Sequence, residues 1–190
     1  MSVSALDPLS PLKAPIPNAA EILANRTYEA LMWALARPGT VQTLPSDDLA
    51  AIAETLVDRE CRVFAGESDL AARIAAMGAE IVAAAQADHA LLALDTATGL
   101  AALREVPTGT HLYPDEGATV FAAAAIGTGQ RLRLSGPGIE TSCEIALGGL
   151  PEDVWSIRAS RCLYPTGFEL FLIDGNKVIG IPRSTTIEVL

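Results

Sequence analysis

Arginines are the side chains with which this chain could grip a charged ligand, and their spacing sorts them. Arg131 and Arg133 alternate with Leu132 and Leu134, so a strand would carry both guanidiniums on one face. Arg158 and Arg161 stand a helical step apart and share a helix face. Exposed arginines are usually solvated, and both pairs are expected to be so. Arg183 opens Arg183-Ser184-Thr185-Thr186, directly after Pro182 cuts an apolar run. Hydroxyls and free strand-end amides surround it, which suits an anion or a partner chain.

Other chemistries lack their parts. No Gly-rich run ends in Lys-Ser/Thr, and no Gly-x-Gly-x-x-Gly opens a helix, so phosphate-cradling loops are missing. Ser135-Gly136-Pro137-Gly138 is glycine-rich, but Pro137 removes a backbone donor that a cradle would use, and a tight turn is expected there. Gly-x-Ser-x-Gly is absent, and with it the nucleophile elbow. Two isolated histidines and three scattered cysteines show no metal-ligand spacing, so no metal is expected. His89 reads as a boundary residue at the mouth of a buried strand. His111, in a loop, has no identifiable partner. A pyridoxal phosphate enzyme needs a desolvated lysine for its Schiff base. Lys13 lies in a proline-rich stretch and Lys177 in a turn, so that cofactor is not expected either.

Composition narrows the rest. The 190 residues are half hydrophobic and 19% charged, as a globular chain requires, and suffice for a core without staples. A net charge of -10 argues against nucleic acid and against anionic membranes as partners. No window reaches the roughly 20 apolar residues of a membrane helix. Residues 1–17 read as an extended proline-rich arm rather than a signal, and 18–190 as a single domain. Scattered cysteines, odd in number, suit a reducing cytoplasm better than a disulfide framework.

The elements that must position the arginines follow from pattern and punctuation. Asn18 and Glu21 form a capping-box signature before a helix that Arg37-Pro38-Gly39 stops. Leu49 to Val57 makes an amphipathic second helix, capped by Ser46 or Asp47. A strand is expected over Cys61–Ala65 and a helix over Ser68–Met77, with Gly78 as its C-terminal cap. The compact apolar run His89–Asp95 reads as a buried strand, and Thr98–Glu105 as a short helix. Thr119–Ile126 and Gln130–Ser135 read as a hairpin across Gly127-Thr128-Gly129, and Pro151–Cys162 as the last helix. Asp174-Gly175-Asn176-Lys177 signals a second hairpin, with Pro182 at a strand edge or bulge. Interleaved helices and strands make the class α/β with a mixed sheet.

Five segments in order then carry a resemblance: Ala36-Arg-Pro-Gly-Thr40, Tyr113-Pro-Asp-Glu-Gly-Ala-Thr119, Leu134-Ser-Gly-Pro-Gly-Ile139, Tyr164-Pro-Thr-Gly167 and Ile181-Pro-Arg-Ser-Thr-Thr186. In these the chain resembles the PhnH family, one of the components of the bacterial carbon–phosphorus lyase core complex. Tyr28-Glu29 departs from the Phe-Arg frequent there, Glu169 from an Asp, and Ser184 from a Thr. The resemblance implies a three-layer α/β/α fold similar to the large domain of PLP-dependent transferases, without PLP. It implies the G, I and J subunits as partners and a homodimer when isolated. It also implies a role in forming alpha-D-ribose 1-methylphosphonate 5-triphosphate from ATP and alkylphosphonate. In that complex the nucleosidase step is attributed to the I component and radical cleavage to the J component, so this chain is expected to be a non-catalytic assembly or substrate-channel subunit. The motifs nominate Arg37, Pro114, Glu116, Gly136, Gly138, Arg183, Ser184 and Thr185 as ligand-binding or interface residues. The alternative is a nucleotide- or phosphonate-binding sensor or enzyme acting through Arg183, Ser184 and Thr185.

Overall fold

The structure is a computed structural model that describes residues 16–47 and 49–190. Lys13 and all but the last two residues of the expected N-terminal arm lie outside the described residues. The first helix, α1 (Ala19–Ala36), starts at the expected capping box. The Glu21 N–H donates to Asn18 Oδ1 at 3.0 Å, and the Asn18 N–H to Glu21 Oε2 at 2.8 Å. It stops before Pro38, as the missing amide requires. Then follow β1 (Gln42–Thr43), α2 (Leu49–Leu56), β2 (Arg62–Ala65), α3 (Ser68–Ala76), β3 (Glu80–Ile81), β4 (His89–Leu92) and α4 (Ala97–Glu105). The second half holds β5 (Thr119–Ala123), β6 (Ala125–Ser135), β7 (Cys143–Gly148), α5 (Asp153–Arg161), β8 (Glu169–Asp174), β9 (Lys177–Ile181) and β10 (Thr186–Val189).

Seven strands form one mixed sheet in the order β1-β9-β8-β5-β4-β2-β3. Neighbours from β8 through β5, β4 and β2 to β3 run parallel, while β9 is antiparallel to both β8 and β1. The central strands are apolar on both faces, and successive residues divide between two cores. Leu91, Phe121, Phe171 and Ile173 pack with α1, α2 and α3. Ala90, Leu92, Val120, Ala122, Leu170 and Leu172 pack with α4, α5 and the second sheet.

That second sheet, β10-β6-β7, corrects the expected hairpin. β5 does not turn back on β6. Val120-Phe121-Ala122 is buried on both faces, and only a central position between β4 and β8 covers it. The chain then leaves the large sheet at Ala124, and Gly127-Thr128-Gly129 forms an irregularity inside β6. Ile126 and Gln130 both sit opposite Leu147, so the residues between them bulge out of the ladder. The β8–β9 hairpin forms as expected, with Asp174 opposite Lys177. Pro182 lies at neither a sheet edge nor a bulge. It begins the corner by which the chain crosses from β9 in one sheet to β10 in the other.

Candidate functional site

The corner is a turn in which the Thr185 N–H donates to the Pro182 carbonyl at 2.9 Å. It sets Arg183, Ser184 and Thr185 in different surroundings. Arg183 faces Glu169 at the start of β8, with Nε 2.5 Å from Oε1. Its own backbone N–H donates to Oε2 at 2.8 Å, and Nη1 donates to the Pro114 carbonyl. The paired side chains are only 14% and 20% exposed. The guanidinium expected to meet an anion is therefore neutralised from within. It ties the Tyr113–Gly117 loop to the corner, and Gly167 fits beneath its stem, where any Cβ would stand 2.9 Å from the Arg183 Cβ.

Arg158 is the reverse case. On α5 it turns inward and is 4% exposed, against the expectation that it is solvated. Nη1 donates to the Thr185 carbonyl at 3.1 Å and Nη2 to the Pro182 carbonyl at 2.7 Å. Among the described residues no carboxylate pairs with it, and Nε has no partner. Burial pulls its guanidinium down from its ordinary value, with Cys162 and, after it, Glu169 opposing. Arginine starts so high that the charge survives. The Thr185 hydroxyl, also buried, has no partner either. Arg161, one step along the helix, donates to the Val106 carbonyl at 2.5 Å and anchors the end of α4.

Between α5 and β10 lies an open cleft of about 900 Å³ whose wall includes Arg158, Arg183, Ser184 and Thr185. Glu152 and Asp153 stand at its rim, and Asp153 reaches Arg104 at 3.5 Å. Cys162 also lines it, but burial pushes the thiol up, so it stays protonated rather than nucleophilic. Neither histidine is there: His111 is exposed in its loop, and His89 stacks on Phe121 with centroids 6.5 Å apart. Among the described residues the corner thus offers donors and positive charge, with no base beside a nucleophile.

The other nominated residues fall into two sets. Pro114 meets Arg183 directly, and Gly136 packs on the Ser184 backbone, where a Cβ would lie 2.9 Å from the Ser184 carbonyl oxygen. Gly138, at φ +82, crosses against the Ala36 carbonyl so closely that no side chain fits. These serve the corner's shape. Arg37 caps α1 and lies 4.6 Å over the Trp33 ring, and Glu116 is exposed with its charge felt at Arg62. Neither lines the cleft. Sequence reasoning named Arg158 but expected it to be solvated, and it gave Glu169 no role at the site. Arg158 stands in an apolar i, i+3/i+4 set with Val154, Trp155 and Ile157, and that pattern could have revealed its inward direction.

A second groove, about 690 Å³, opens at the carboxyl ends of β2, β4 and β5, where open α/β sheets commonly hold ligands. Its charged lining is Glu67, Asp95 and Asp174, all acidic, so it repels anions. Among the described residues no group of three His, Cys, Asp or Glu side chains is placed to hold a metal ion. None of their helices is long and apolar enough to cross a membrane.

Residues 19–188 match the family model described as bacterial phosphonate metabolism protein, PhnH. The chain is 31% identical over 172 residues to the Stutzerimonas stutzeri protein HtxG, named as a putative C-P lyase subunit, covering 85% of this chain and 84% of that one. It is 28% identical over 182 residues to a Rhizobium meliloti (strain 1021) protein named alpha-D-ribose 1-methylphosphonate 5-triphosphate synthase subunit PhnH, covering 87% and 90%.

Proposed function

The chain belongs to the PhnH family of bacterial phosphonate metabolism proteins, and on that premise we propose that it is a non-catalytic subunit of a carbon–phosphorus lyase core complex. The observation that carries this reading is the similarity, over 85% and 87% of the chain, to two relatives named as subunits. In it the protein helps G, I and J subunits form alpha-D-ribose 1-methylphosphonate 5-triphosphate from ATP and alkylphosphonate in the cytoplasm, within a transferase complex. Alone it pairs as a homodimer. Residues 18–190 act as one domain, a three-layer α/β/α fold similar to the large domain of PLP-dependent transferases. Lys177, exposed at the β8–β9 turn, does not fit a Schiff-base role.

The surface supports a subunit role. Along the outer side of α1, Tyr28 and Met32 are 56% and 45% exposed and border a shallow apolar groove with Leu35, Leu56 and Phe171. Exposed apolar side chains so grouped mark contact surfaces, and we assign this one to a neighbouring subunit. Co-expression with G, I and J partner chains tests the reading: the chain should co-elute with them through two columns. Elution of the chain by itself, while the other three assemble, refutes it.

A further inference from the structure

We propose that the cleft between α5 and β10 binds a tetrahedral oxyanion, a phosphate or phosphonate group, with Arg158 as its counter-charge and the Ser184 and Thr185 hydroxyls as further ligands. The charge balance at the corner favours an anion. Two guanidiniums, Arg158 and Arg183, share one carboxylate there, Glu169, which is committed to Arg183 through both oxygens. The acidic Glu152 and Asp153 stand at the cleft's rim, Asp153 beside Arg104. Arg158 keeps a full charge while buried, hydrogen-bonded to carbonyl oxygens and with Glu169 acting on it only from a distance. An uncompensated buried charge is costly, and an anion removes that cost by entering.

Hydrogen bonding gives the same answer independently. Arginine has five N–H groups, and this one gives two to carbonyls and leaves Nε unpartnered. The Thr185 hydroxyl, 3% exposed, also lacks a partner, although buried polar groups normally have one. Both side chains form part of the cleft wall. Ser184, half-buried on the same wall, adds a second hydroxyl. Arg183 does not serve as the anion's main ligand, because Glu169 would repel what Arg183 attracts. The phosphonate end of the ligand range rests on the subunit reading above. Oxyanion binding itself rests on the corner.

The test uses the isolated full chain in low-salt buffer, titrated calorimetrically with inorganic phosphate, methylphosphonate and ATP separately. At least one should bind. A preference for methylphosphonate assigns the site to phosphonates, and a preference for ATP assigns it to a nucleotide's phosphate chain. Ala159 is exposed on the cleft wall, so Ala159→Glu places a competing carboxylate beside Arg158 without disturbing the core. It should weaken binding by about tenfold or more, the worth of one charge-assisted hydrogen bond. Thr185→Val, of the same shape, should weaken it severalfold. A purely structural Arg158 clamp predicts no response to Ala159→Glu. Folded wild type that binds none of the three probes at about 10 mM, an affinity too weak to matter, overturns the proposal. So does binding that ignores both substitutions. Since no partner chain is present, either failure leaves the subunit reading standing.

Discussion

Glu169 answers to two guanidiniums at once, and that fixes what it is worth. Replacing it by Gln keeps the size but strands Arg183, and removes the one carboxylate felt by Arg158. Breaking a fully buried pair costs about 3–5 kcal/mol, and the slight exposure here brings the expectation for Glu169→Gln to about 2–3 kcal/mol in urea unfolding. Phosphate in the buffer should recover part of that loss in the variant, because a ligand of the native state stabilises it by mass action. A loss below about 0.5 kcal/mol, the usual scatter of surface substitutions, would show the corner to be solvated. His89 gives a pH signature. Burial pushes its imidazole down, while Asp88 and Asp58 push it up less strongly. A histidine so held stays neutral in the fold where the unfolded chain is already taking up a proton. The unfolded state then binds more protons, so stability is full above about pH 6.5 and falls as pH drops below it, until the native imidazole itself protonates. Denaturant midpoints between pH 7.5 and 5.5 should therefore fall in the wild type and flatten in His89→Gln. Equal slopes in both proteins would place the titrating group elsewhere.

Elements meet where backbones approach most closely, and Gly180 is such a place. A Cβ there would stand 2.6 Å from the Ala34 carbonyl carbon, so α1 packs on β9 only because that position is bare. Gly180→Ala should push the helix off the sheet and cost about 1–3 kcal/mol, as overpacking does. Melting that left stability unchanged would mean that α1 slides freely on β9. The same contact explains how much of the fold could be seen beforehand. Helix α1 was legible because Asn18, Glu21 and Pro38 act within a few residues of themselves. The β8–β9 hairpin was legible for the same reason. The β5–β6 hairpin was misread because Gly127-Thr128-Gly129 has turn chemistry, while the true break lies in a featureless alanine run at Ala122–Ala125. Strand β7 carried no local signal strong enough to assign. At the corner, the motif Pro182-Arg183-Ser184-Thr185 was visible, and its neighbours were not. Whether an arginine is free or satisfied depends on Glu169 fourteen residues back and the Pro114 carbonyl sixty-nine back, and no local pattern reports that.

For the whole molecule, charge and apolar surface make opposite demands on a partner. A net charge of -10 opposes the approach of acidic neighbours, copies included, at long range, and added salt weakens that repulsion. The outer side of α1 works differently. Contact through Tyr28 and Met32 would draw on burial of apolar area, which salt strengthens rather than weakens. Assembly with the partner subunits should therefore persist from about 0.1 to 1 M sodium chloride, where the Debye length shrinks from about 10 to 3 Å. Oxyanion binding in the cleft should weaken over the same range. Met32→Glu should abolish co-elution at either salt while leaving the melting temperature of the isolated chain unchanged, since the side chain lies outside the core. If that variant still assembles and high salt alone dissolves the complex, the partner contact is electrostatic and lies on another face. The Leu112–Tyr113 and Leu163–Tyr164 loops would then be the next surface to substitute, because they flank the corner and are all more than half exposed. Salt response and a single charge on α1 thus separate the two ways in which an acidic chain with apolar patches can join a larger assembly.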